Sequence, residues 1–286
     1  MNALLSRNLR VFFRDRASVL FSLLSVLIII MLYALFLGDS WANSNIFEGR
    51  QGARSLMDKW IMAGLLAVVS VTSTMGAYGI MVDDRVRKIS KDFYSSPLSR
   101  AGLTGGYILG AYVIGVIMSL FTTAAAVVYV IVRGGAFPAF PALTKTLGLI
   151  LLSGLSNTAL VLFLVSFISS ANAFSTASTL MGTLIGFLTG IYMPVGQLPP
   201  AVQTLIKFVP TSHAAALFRQ VLMEKPMETV FAGAPDGVAA QFKEFSGVTL
   251  TLGGHTFTGF EHILVLAVTF AVFSLLSLWS LSRKKT

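Results

Sequence analysis

TLGLILLSGLSNTALVLFLVSFISSANAFSTASTLMGTLIGFLTGIYMPVGQLPPAVQTLI, residues 146–206, carries no formal charge. A helix crossing a bilayer needs about 20 apolar residues. The stretch is too long for one such helix, so the chain must turn within it. SSANAF (169–174), short and polar around Asn172, is where it turns. The segments on either side, 143–168 and 174–193, then read as two membrane spans. The second runs into GIYMPVGQLPP (190–200), with Pro194, Pro199 and Pro200, and Pro210 comes ten residues later. Proline lacks a backbone N–H and clashes with the preceding turn, so the chain is predicted to break there, at the edge of the bilayer.

The same pattern extends in both directions. Segments 17–37, 60–82, 104–132 and 262–281 are also long, apolar and free of Asp, Glu, Lys and Arg. Hydrophobic residues make up 55% of the chain and charged residues 12%, about half the charge of a soluble domain. The expected fold class is an all-α polytopic membrane protein with six transmembrane helices. Lys and Arg collect in cytoplasmic loops, and short loops count most. Segments 1–16, 83–103 and 282–286 hold four, five and three of them, against three in 38–59 and one in 133–142. Both termini are therefore expected inside. The net charge of +9 is read as this topological bias, not as a nucleic-acid footprint, because no basic run is long enough to track phosphates. The N-terminus lacks the small-residue cleavage pattern of a signal peptide.

Residues 3–14, ALLSRNLRVFFR, place Leu5, Leu9, Phe12 and Phe13 on one helical face and Arg7, Arg10 and Arg14 on the other. That pattern predicts a helix lying in the membrane interface, within 1–16. The inner loop MVDDRVRKISKDFYSSPLSR (81–100) mixes three Asp with five Lys and Arg and includes Phe93. Topology control needs only the basic residues, so the added acids and aromatics suggest a docking surface. The outer segment 194–261 begins too apolar for an exposed loop. Pro210 cuts it into pieces too short to span, which predicts short helices dipping partly into the bilayer. Thr211-Ser212 is read as the cap of a helix over 213–223. VTLTLGGHTFT (248–258) alternates around Gly253-Gly254, a hairpin signal.

Several chemistries are excluded or weakened. There is no cysteine, hence no disulfide framework, thiol nucleophile or Cys-based metal site. His213, His255 and His262 are far apart in sequence and form no HExxH motif. No GxxxxGK[ST] loop is present, so the chain cannot by itself use ATP. Lys145 stands at the edge of 143–168 and no other charged residue lies within a span to mark an ion pathway, which argues against a secondary transporter. GLSN (154–157) and Gly105, Gly106, Gly110 and Gly115 read as close-packing sites between helices, in preference to an intramembrane serine nucleophile.

The order of parts resembles the membrane subunit of ABC transporters of the ABC-2 (type V exporter) class. The resemblance rests on the interfacial helix, the six spans, the charged loop ending in SSPLSR (95–100), and the break GIYMPVGQLPP followed by FVPTSHAAALFRQVL (208–222). Members of that family often carry a Glu and a Gly in the loop. Here Asp83 and Asp84 stand near the acidic position, and no glycine lies between 83 and 101.

What the resemblance implies is specific. The chain would form a single transmembrane domain over 1–286, in a homodimer or with a closely related permease, in the plasma membrane of a prokaryote. It would bind two copies of a separate ATPase that holds ATP and Mg, and no cofactor itself. Its partners would be that ATPase and membrane lipid, and not nucleic acid. The loop 83–100 would be a coupling helix carrying Asp83, Asp84, Arg85, Arg87, Lys88, Lys91, Asp92 and Phe93 to the ATPase. The second and fifth spans would line the path with Ser70, Thr72, Ser73, Thr74, Ser175, Thr176, Ser178, Thr179, Thr183 and Thr189. Hydrogen bonding between helices is an equal reading of those side chains. Pro194, Leu198, Pro199, Pro210 and His213 would form an extracellular gate built from re-entrant helices. The cargo would be an amphipathic drug, lipid-like molecule or peptide. The rival expectations are a stand-alone channel or secondary transporter, or a polytopic membrane enzyme using one of the histidines.

Overall fold

The computed structural model describes residues 2–33, 35, 38, 47, 50–89, 100–134 and 137–283. Ten helices are assigned among them. These are α1 (Asn2–Arg14), α2 (Arg16–Leu32), α3 (Ala53–Val86), α4 (Arg100–Val132), α5 (Phe140–Ser166), α6 (Ala171–Leu188), α7 (Pro200–Ile206), α8 (Pro210–Val230), α9 (Val238–Phe245) and α10 (Gly259–Arg283). A 3-10 turn covers Val195–Gln197. A two-residue hairpin pairs β1 (Thr251–Leu252) with β2 (His255–Thr256). Its turn residues Gly253 and Gly254 both have positive φ, 59° and 83°, as a tight two-residue hairpin turn requires.

Four helices, α3, α4, α5 and α10, are long and apolar enough to cross a membrane. The other two expected spans correspond to α2, with 17 residues, and α6, with 18. All-α and polytopic therefore hold. Helix α3 is the axis of the bundle and packs against α4, α5, α6 and α8. Between Lys59 and Asp83 it carries no formal charge. That run rises about 36 Å, enough to cross a hydrocarbon core of about 30 Å. Helix α10 leaves Leu264, Val268, Leu275 and Leu278 exposed, an apolar surface that suits lipid and not water.

The small residues act as docking sites. A side chain at Gly106 would strike Leu4 at 2.6 Å, one at Gly110 would meet Asn8 at 3.2 Å, and one at Gly115 would strike Thr74 at 2.8 Å. Helices α1 and α3 therefore approach α4 only because glycines line the contact, as expected. Gly154 is similarly closed off by the Tyr112 ring, 3.2 Å away. The α1 face differs in part from the sequence pattern. Leu4, Asn8 and Phe12 are its buried residues, and Leu9 and Phe13 pack partly against the core. Packing on α4 turns the helix so that its polar Asn8 is covered and donates to the Gly106 carbonyl at 3.4 Å.

Helix α8 is longer than expected and starts earlier. It begins at Pro210 in place of 213 and runs to Val230 in place of 223, with Pro226 inside it. Val209 occupies the cap position without a side-chain bond. Thr211 and Ser212 lie in the first turn. Thr211 donates to Asn157 Oδ1 at 3.3 Å and Ser212 to the Leu188 carbonyl at 2.7 Å. Those tertiary acceptors draw the hydroxyls away from capping. At the other end of the outer subdomain, Thr258 and Glu261 form a reciprocal cap for α10. The Thr258 N–H donates to Glu261 Oε2 at 2.7 Å, and the Glu261 N–H donates to Thr258 Oγ1 at 3.3 Å.

Candidate functional site

Among the described residues, three clusters of polar groups bear on the expected site residues. The first is the break after α6. The prolines do not end α6. Gly190, at φ 68°, takes the left-handed position after the Thr189 cap. The Gly190 N–H reaches the Phe187 carbonyl at 3.0 Å and the Ile191 N–H reaches the Gly186 carbonyl at 3.0 Å. That pair of hydrogen bonds is a glycine C-cap. The prolines instead start the next elements. Pro194 precedes the 3-10 turn, Pro199 caps α7, and Pro200 and Pro210 sit in the first turns of α7 and α8, where a missing N–H costs nothing. Leu198 is buried in a small core with Val195, Ile206, Ala216 and Leu250.

Arg219 of α8 holds this break in place. It is 1% exposed. Its Nη2 donates to the Thr189 carbonyl at 2.8 Å and the Gly190 carbonyl at 3.3 Å, and its Nη1 to the Gly247 carbonyl at 3.4 Å. The guanidinium also lies 5.0 Å from the centre of the Trp60 ring, and Trp60 Nε1 donates to the Ser246 carbonyl at 2.8 Å. A cation at the C-terminal end of α6 meets the negative pole of the helix and satisfies its last carbonyls. Sequence reasoning missed Arg219. The only signal was an arginine inside the apolar run AAALFRQVLM.

The histidines, distant in sequence, are not all distant in the fold. His213 Nδ1 lies 2.7 Å from His262 Nδ1, and His213 Nε2 lies 2.9 Å from the Lys207 carbonyl. A carbonyl can only accept, so His213 Nε2 carries hydrogen. With both rings neutral, His262 Nδ1–H donates to His213 Nδ1. The pair thus ties the C-terminus of α7 to α8 and α10. His255 stands apart and pairs with Glu261 at 2.9 Å. No group of three metal-ligating side chains occurs among the described residues. Ser156 of the GLSN motif is buried and its hydroxyl has no hydrogen-bond partner among the described residues, so no base activates it, and Asn157 makes the inter-helix bonds.

The second place is the far end of α3. Of the eight residues expected to meet an ATPase, Lys91, Asp92 and Phe93 lie outside the described residues. Asp83, Arg87 and Lys88 are exposed. Lys88 takes φ 62°, a left-handed turn just past α3 in a loop that has no glycine to supply it. Arg85 donates to the Ile168 carbonyl at 2.6 Å, joining α3 to the end of α5. Asp84 points inward and is 3% exposed. It forms an ion pair with both terminal nitrogens of Arg7 and accepts from Tyr107 Oη at 2.6 Å. The hydrogen bonds donated to Asp84 push the Arg7 guanidinium pKa upward against its partial burial. This clamp joins α1, α3 and α4. Asp84 is therefore a structural anchor between α1, α3 and α4.

The third place is α6. Its Phe174, Ala177 and Met181 pack against the core, and Ile185 is buried. On other faces, Asn172, Ser175, Thr176, Thr179 and Thr183 are exposed or half-exposed. Thr179 and Thr183 return their hydroxyls to the carbonyls of Ser175 and Thr179, both at 3.0 Å. Ser178 is half-buried, and Thr189 is fully buried at the cap. The α3 hydroxyls behave differently. Ser70, Ser73 and Thr74 are buried, while Thr72 is half-buried and bonds to Val68 within its own helix at 3.1 Å. Ser70 accepts from Asn157 Nδ2 at 2.9 Å, and Thr74 packs on Gly115. Inter-helix packing accounts for Ser70 and Thr74. The exposed α6 hydroxyls have no such partner helix among the described residues.

The family described as "ABC-2 family transporter protein" matches residues 40–279. Nodulation protein J of Rhizobium leguminosarum bv. trifolii is 28% identical over 224 residues, 75% of this chain and 79% of that protein. Nodulation protein J of Rhizobium leguminosarum bv. viciae is 33% identical over 89 residues, 31% of this chain and 34% of that protein. The chain belongs to the ABC-2 transporter family.

Proposed function

On the premise of that membership, we propose that the chain is the membrane-spanning permease subunit of an ATP-driven exporter. Six spans with both termini inside would set α3 to α6 and α10 across the plasma membrane of a prokaryote, with α2 as the first span. Helix α1 would lie along the inner interface, fastened by Arg7 to Asp84. The exposed Asp83, Arg87 and Lys88, with the loop beyond them, would meet a separate ATPase, two copies serving a pair of permease chains. ATP-driven closure of the ATPases would move the spans as rigid bodies, a ligand-driven shift between two arrangements.

The observation that carries the path is the α6 hydroxyl surface. Ser175, Thr176, Thr179 and Thr183 lie off the packed face of a charge-free helix. Polar side chains are costly against lipid, so this surface suits a second permease chain across a central path. An amphipathic drug, lipid-like molecule or peptide suits a path with hydroxyls but no charges. The break after α6, pinned by Arg219, would lie at the outer end of that path. The test is purification of the chain from its own membrane. Recovery of a Walker-motif ATPase, and ATP-dependent export by the pair, is expected. Export by the chain alone in vesicles would contradict the reading and favour a channel or secondary transporter.

A further inference from the structure

A cavity of about 140 Å3 lies between α3, α4, α5 and α8, away from both the break and the α6 surface. Its walls are apolar, among them Ala126, Val130, Ala142 and Val221. Pro226 also lines it, one turn beyond Leu222, whose carbonyl it cannot serve as a helical donor. A dry apolar cavity of about this size takes a molecule such as benzene, so this one suits a short run of methylenes.

The mouth has a different chemistry. Lys59, Lys145 and Lys225 stand there with one acid, Glu224. Lys145 and Glu224 are 3.9 Å apart and both largely exposed. Lys59 is half-buried, and Lys225 is near enough to repel its charge. The neighbouring Asp58 is engaged by Arg54 at 3.2 Å and by Tyr129 at 3.1 Å. The rim therefore keeps a positive surplus. Lys59 is the last charge before the uncharged part of α3, and Lys145 is the last before the uncharged run 146–206. These lysines mark the level where hydrocarbon gives way to headgroups, with Met62, Leu66 and Val221 on the hydrocarbon side.

We propose that this cavity binds an anionic phospholipid of the bilayer, one acyl chain between α4, α5 and α8 and its phosphate against Lys59 and Lys225. Apolar surface removed from water or headgroups holds the chain, and basic groups between membrane helices select anionic headgroups. The inference needs only that the chain sits in a bilayer, so it stands apart from the ATPase reading.

The test uses the purified full chain in detergent with added dioleoylphosphatidylglycerol or dioleoylphosphatidylcholine. The anionic lipid is expected to raise the melting midpoint by about 5 °C more than the neutral one, the scale set by a ligand well above its Kd. The double variant Lys59→Gln/Lys225→Gln should lose that difference and keep the response to the neutral lipid. Ala142→Phe, which fills the cavity, should lose it as well. Arg10→Gln/Arg14→Gln, exposed on α1, should keep it. Equal shifts with both lipids in the unmodified chain would overturn the proposal. So would a difference that persists in the lysine double variant, whose glutamines keep most of each side-chain stem and leave the fold intact if Ala142→Phe does not.

Discussion

Arg219 Nη2 donates to the Thr189 carbonyl at 2.8 Å, so a cation on α8 closes the last turn of α6. The same side chain reaches Gly190 and Gly247 and stacks on Trp60. Arg219→Met keeps the stem but removes every one of these contacts. It leaves buried carbonyls unsatisfied, at about 3 kcal/mol in total. The melting midpoint in detergent should fall by roughly 5–10 °C. Arg219→Lys keeps the charge without the fork and should fall between the two. An unchanged midpoint in Arg219→Met would remove Arg219 as the anchor of the break.

The Arg7–Asp84 pair is asymmetric. Asp84 is buried, while the Arg7 side chain keeps 31% exposure. Arg7→Ala strands a buried carboxylate with Tyr107 as its remaining partner, whereas Asp84→Ala leaves an arginine that can reach water. Arg7→Ala should therefore cost about 2–3 kcal/mol and Asp84→Ala less. The double variant should cost less than the sum, with a coupling of about 1–2 kcal/mol. A double-mutant cycle of denaturant or thermal midpoints measures this, and additivity would show that the pair is not a clamp.

On the proposed reading, docking would fall to the exposed Asp83, Arg87 and Lys88. Charge reversal by Asp83→Lys with Arg87→Glu should cut recovery of the ATPase with the permease at least several-fold at physiological salt. The melting midpoint of the permease alone should stay within about 2 °C, since surface substitutions shift stability little. Tight co-purification of this variant would move the docking surface elsewhere.

The absence of native cysteine makes single thiols unambiguous reporters of topology. Gly254→Cys, at the exposed tip of the hairpin, should react with an impermeant maleimide added to intact cells. Lys88→Cys should react only after the membrane is opened. The reverse pattern would invert the orientation derived from the loop charges.

Much of the fold is visible in residue order because membrane spans are local. A charge-free run of the right length must be a helix in lipid, and α3, α4, α5 and α10 match 60–82, 104–132, 143–168 and 262–281 to within a few residues at most ends. The glycines of α4, the Gly253-Gly254 turn and the break near 190 are equally local signals. The end of α6 is harder to read, because four prolines outweigh one glycine in the sequence while the backbone turns on Gly190. The second half of α8 is hidden because Pro226 and the charges Glu224, Lys225 and Glu228 mask the sparse stripe of Met223, Met227 and Val230, which the fold buries. The clamps are illegible for a different reason: Arg7 and Asp84 are 77 positions apart, Arg219 and Thr189 are 30, and His213 and His262 are 49. Only tertiary packing brings such partners together, so in sequence Asp84 reads as a surface charge and the histidines as isolated.

In the proposed mechanism the hydroxyl surface of α6 borders a path that the ATPase opens and closes. Single cysteines at Ser175, Thr179 and Thr183, in the permease–ATPase complex reconstituted in lipid vesicles, test it through their rate of reaction with a water-soluble maleimide. Reaction is expected at all three, at rates that change at least several-fold when ATP binds, while Ala177→Cys on the packed face stays protected. Three thiols that remain inert with and without ATP would mean that this surface faces lipid, and would contradict it.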